Sequence, residues 1–111
     1  MIKRLTNPYW MRYINFTKAR DLLLLIANTP GLHRKEIIAK GIEEGILATK
    51  DGKPMKKTPI YHYIRNLRKL GLVQVINQGY YPSPLLEVQE LVSYQNKGNP
   101  LTQEEKALLL K

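Results

Sequence analysis

Five consecutive aliphatic residues, Leu22, Leu23, Leu24, Leu25 and Ile26, restrict what this chain can fold into more than any other feature. On a helix, successive side chains turn by about 100°, so the five point in every direction and leave no face for water. Such a helix must sit at the centre of the molecule. The pattern predicts it over about Thr17 to Asn28, stopped by Thr29, Pro30 and Gly31. The longest apolar run, Leu22 to Ala27, falls far short of the roughly 18 residues that cross a bilayer. A membrane is therefore not an expected partner. With 111 residues, 43% of them hydrophobic, the chain has material for one core and not two.

A second helix is expected from near His33 to near Gly45. Glu36 stands in the capping-box position, and Ile37, Ile38 and Ile42 form the buried side. Residues 46–57 form a longer connection, a small hairpin or an ordered loop, with a turn signal at Asp51 and Gly52 followed by Pro54. Next comes TPIYHYIRNLRKLG, residues 58–71. Thr58 is suited to cap this helix, Pro59 to open it and Gly71 to end it in a left-handed conformation. Its residues Ile60, Tyr63, Ile64, Leu67 and Leu70 fall within an arc of about 120°, which is the core side.

The period then changes. Leu72 to Ile76 is rich in β-branched residues, Asn77, Gln78 and Gly79 make a turn, and Tyr80 and Tyr81 return before Pro82, which predicts a hairpin. Ser83 and Pro84 are expected to cap a further helix running to about Gln95, with more apolar surface than a terminal helix on a small domain needs. After a breaker at residues 96–100, Thr102 and Glu105 form a second capping box ahead of Ala107, Leu108, Leu109 and Leu110. The expected fold is mainly α with a small β-hairpin. Three segments follow: a packing segment over residues 1–16 that contains Pro8, Tyr9, Trp10, Met11 and Tyr13, a domain over 17–82, and a helical extension over 83–111.

Charge singles out the middle of the chain. The formal net charge is +9, and residues 50–70 hold seven cations against Asp51 alone. Residues 1–83 carry fifteen cations and five anions, whereas residues 84–111 carry three and four. The side of the 58–71 helix opposite its core arc bears Tyr61, His62, Arg65, Asn66, Arg68 and Lys69 and no carboxylate. A merely solvated helix would normally mix both signs. This concentration of cations and donors is what a polyanion partner needs, and its binding would weaken steeply with salt.

Helix, helix, cationic helix, hairpin is an order that resembles the winged helix-turn-helix domains of many small prokaryotic transcription regulators. The resemblance covers residues 17–82 and is carried by TPGLHRKEII and then IYHYIRNLRKLGLVQV. It implies a three-helix core with a short wing, bound to double-stranded DNA with the third helix in the major groove. On matching positions, Tyr61, His62, Arg65 and Asn66 become base contacts, and Arg34, Lys35, Arg68 and Lys69 become phosphate contacts. The chain departs from the usual pattern in two ways: about a dozen residues separate its second and third helices, and its wing tip has no Lys or Arg, so no strong wing contact is expected. Within that insertion, GILATKDGKPMKKTPIYHYI resembles the segment before the last helix in the helix-turn-helix regions of large serine recombinases. The likeness adds Lys53, Lys56 and Lys57 as phosphate contacts.

Catalysis is not expected. The chain has no cysteine, its serines Ser83 and Ser93 read as cap or helix-surface residues, and its two histidines lack the partners that activate a nucleophile. The pairs Glu43–Glu44 and Glu104–Glu105 diverge by about 100° on a helix, so neither forms a shared acid/base site. No metal or other cofactor is implied, and a small-molecule effector is not readable. The amino terminus lacks a leader pattern and is read as an intact start in the cytoplasm. The expected function is a sequence-specific regulator that binds an operator as a homodimer through residues 84–111. The alternatives are the DNA-targeting module of a larger recombinase, restriction or replication enzyme, and a winged helix used for protein docking.

Overall fold

In the structure, a computed structural model that describes residues 15–110, the five aliphatics of the central run are at most 3% exposed. They lie on helix α1 (Phe16–Asn28). This helix starts one residue before the expected Thr17 because Asn15 caps it, the Asn15 Oδ1 accepting from the Lys18 amide at 2.9 Å. The packing segment expected over residues 1–16 lies, apart from Asn15 and Phe16, outside the described residues. Among the described residues no helix is long and apolar enough to cross a membrane.

Helix α2 (Arg34–Glu43) begins as the sequence predicts, with the Glu36 carboxylate accepting from the His33 amide at 3.0 Å. Ile37 is buried and Ile38 half-buried, but Ile42 is 37% exposed. It lies in the last turn, about 140° around the helix from Ile37. The connection that follows is an ordered turn: Ala48 and Pro54 form a single antiparallel bridge, the Thr49 amide donates to Lys53 O and the Met55 amide to Leu47 O. The Lys18 Nζ on α1 donates to Ile46 O and Ala48 O at 2.9 and 2.8 Å and ties this turn to the central helix. Burial lowers the Lys18 pKa, and the nearby Asp21 carboxylate partly offsets that.

Helix α3 (Lys57–Lys69) begins before its expected cap. Lys56 is the N-cap, so Thr58 and Pro59 are the second and third helical residues and Thr58 caps nothing. Proline fits there because amides in the first turn have no intrahelical acceptor to lose. The other end is as expected. Gly71 has φ +80°, and the amides of Gly71 and Leu72 donate to Arg68 O and Leu67 O, a Schellman motif. All five residues of the predicted core arc are at most 6% exposed.

Strands β1 (Val73–Ile76) and β2 (Gly79–Pro82) pair antiparallel, with Ile76 opposite Gly79. Asn77 and Gln78 both have positive φ, the conformation of a two-residue type I′ turn. Leu32, between α1 and α2, pairs with Tyr80 and adds a one-residue third strand. Helix, short strand, two helices and hairpin make a winged helix-turn-helix-like topology.

The extension comprises α4 (Leu86–Ser93) and α5 (Gln103–Leu110). Ser83 and Pro84 do not cap α4; it opens at Leu85, whose amide donates to Ser83 Oγ at 3.3 Å. The Thr102–Glu105 capping box forms in both directions, at 2.9 and 3.1 Å. Val88, Leu91 and Leu109 join the same buried cluster as α1, so the extension and the helical core share one interior. Arg20 on α1, 1% exposed, binds Glu105 at 3.0 Å and the neighbouring Asp21 at 2.8 Å.

Candidate nucleic-acid interface

Helix α3 is fixed by its apolar arc, so the direction of every other side chain on it follows. Tyr61, 40% exposed, and the exposed Arg65, Arg68 and Lys69 lie on the outer surface, while His62 is half-buried. From Thr58 to Arg68 this strip is about 15 Å long at 1.5 Å per residue. Asn66 is different. It is 8% exposed, and its Nδ2 has no hydrogen-bond partner among the described residues. The helical wheel places it 40° from Leu70, at the border of the core arc. The sequence reading makes Asn66 a base contact, and the structure places it at this border and not on the outer strip.

The strip faces two other elements. The first turn of α2 brings Arg34 over the Tyr61 ring, its guanidinium carbon 4.8 Å from the ring centroid. Within α3, the Arg65 Nη2 donates to His62 Nδ1 at 2.8 Å. A guanidinium has no acceptor, so this contact requires the His62 Nδ1 lone pair. Both guanidiniums are thereby steered by aromatic rings. The hairpin supplies Tyr80, which with Arg34, Thr58, Tyr61, Arg65 and Arg68 lines an open concavity of about 400 Å³. A second concavity, which shares Arg34 and Tyr80, continues past Lys35 to Val75 and Gln78 on the hairpin. Among the described residues, Glu36 is the one carboxylate that lines either of them.

The remaining predicted cations flank the start of α3. Lys53, Lys56 and Lys57 are exposed, and Lys56 and Lys50 line a third concavity with Met55 and Pro59. Among the described residues, the three ion pairs join Arg20 to Asp21, Arg20 to Glu105 and Lys97 to Glu44. Every cation predicted to meet phosphate is therefore outside an ion pair, and all seven are exposed. Lys18 is the contrasting case, since its ammonium is occupied by backbone carbonyls.

Sequence reasoning missed the Arg34–Tyr61 stack and the part taken by Tyr80. Both depend on how separate elements meet, which periodicity within one helix does not carry. The His62–Arg65 contact had a local signal, since residues three apart are neighbours on a helix. Compared with protein-family models, curated proteins and solved structures, the chain matches none.

Proposed function

We propose that this chain is a sequence-specific double-stranded DNA-binding protein that regulates transcription by occupying an operator, with α3 in the major groove. The observation that carries the reading is the exposed cationic surface of α3 with its flanks, free of ion pairs among the described residues, in a fold of winged-helix type. A helix with its side chains, about 10–12 Å across, fits a major groove about 12 Å wide. Arg65, steered by His62, is assigned to base edges, where an arginine pairs best with guanine O6 and N7. Arg34, Lys35, Lys53, Lys56, Lys57, Arg68 and Lys69 are assigned to phosphates, which fix register and supply most of the affinity.

A homodimer on a palindromic site belongs to the same proposal. Within residues 84–111 it rests on Leu86, 81% exposed, and Tyr94, 39% exposed, both at the ends of α4.

Selection of bound duplexes from a random pool, repeated with Arg65→Ala and Lys56→Ala, tests the roles. The first variant is expected to relax preference at one base pair by about 1–3 kcal/mol. The second is expected to weaken all sequences alike. Equal, uniform losses from both would contradict the assignment.

A further inference from the structure

An arginine at the first residue of a surface helix ordinarily samples many rotamers and must be ordered when it grips a ligand. Arg34 is not so placed. Its guanidinium lies over the Tyr61 ring at 4.8 Å, within the roughly 6 Å range of a cation–π contact. Its position is also central, since it lines both the concavity along α3 and the one between the start of α2 and the hairpin. The hydroxyl of Tyr61 makes no hydrogen bond among the described residues, and the ring is partly covered by the guanidinium.

We propose that Tyr61 is a positioning residue whose ring holds Arg34 ready for a duplex phosphate, and that the Tyr61 hydroxyl does not read a base. The inference rests on the duplex-binding reading and deepens it. It assigns the contact to α2 and the preorganisation to α3, so the two helices act as one unit at this point. Because the charge that meets phosphate belongs to Arg34, loss of the ring should raise the cost of binding without changing how many counterions are released. Loss of Arg34 should change both.

The test uses the full chain and a fluorescently labelled mixed-sequence duplex, with affinity measured from about 50 to 200 mM salt. Tyr61→Phe keeps the ring and is expected to bind like the parent. Tyr61→Leu is expected to bind about two- to five-fold more weakly, the range of an exposed cation–π contact, with an unchanged salt slope. Arg34→Ala is expected to shallow that slope by about 0.9, and adding Tyr61→Leu to it should cost no more. Both side chains are exposed, and thermal melts check that each variant is folded. A loss in Tyr61→Phe equal to that in Tyr61→Leu would overturn the inference, because the hydroxyl would then be the contact. So would a Tyr61→Leu loss of the same size with and without Arg34. Failure of the parent chain to bind any duplex would instead remove the DNA-binding reading, and the inference with it.

Discussion

Arg20 and Glu105 are separated by 85 positions in sequence yet meet at 3.0 Å with their side chains fully buried. Burial pushes the Glu105 carboxyl up, but the Thr102 amide, the Asn96 side-chain amide and the Arg20 guanidinium outweigh it and hold it below the usual carboxylate range. A carboxyl with a lowered folded pKa stabilises the protein above its unfolded value, about 4.3 for glutamate, and that stability is lost as pH falls through the folded pKa. Glu105→Gln keeps an acceptor for the cap but leaves Arg20 with the Asp21 carboxylate in place of two counter-charges. It is expected to cost about 1.5–3 kcal/mol and to flatten the acid limb of the stability profile, both read by denaturant melts across pH. An unchanged acid limb would place the titration elsewhere. None of this was legible in sequence. The capping box at Thr102 was visible, but its second use, as the buried partner of an arginine on α1, depends on the chain folding back over 85 residues. The burial of Asn66 was unforeseen for a smaller reason. Residue type suggested a base contact, whereas its place beside the core arc decided its burial.

At the scale of elements, apolar spacing located the core faces but not the exposure of Ile42, and the capping signals held at His33, Gly71 and Thr102 but not at Thr58 or Ser83. The core faces of α1 and α3 lie where the spacing puts them, because misplacing so many aliphatics would cost more than any local preference returns. Starts moved by one or two residues, at Asn15, Lys56 and Leu85, since a cap contributes only about 1 kcal/mol. The one-residue strand at Leu32 had no periodic signal. It exists because Gly79 lets the hairpin approach closely: a Cβ there would lie 3.0 Å from Gly31 O. Helix α4 is where the sequence overstated what is left for a partner. Val88 and Leu91 turn inward, and Leu86 and Tyr94 remain. If that remnant joins two copies, sedimentation should show a dimer at tens of micromolar that Leu86→Glu dissociates. A monomer at that concentration would remove the palindromic operator from the proposal.

On the scale of the whole molecule, the structure divides labour along the chain. Residues 84–111 bring four anions and three cations and complete the interior through Val88, Leu91 and Leu109. The cationic excess lies entirely before them, and among the described residues its exposed members, Lys40 apart, lie on α3, on the start of α2 and on the turn between those helices. A positive field of this kind is what the proposed duplex partner would meet. The most direct test is to follow backbone amide resonances while a duplex obtained by selection is added. Shifts are expected to concentrate on the first turn of α2, on residues 49–57 and on the outer strip of α3, while α4 and α5 hardly move. Shifts confined to α4 and α5, with α3 silent, would contradict that expectation.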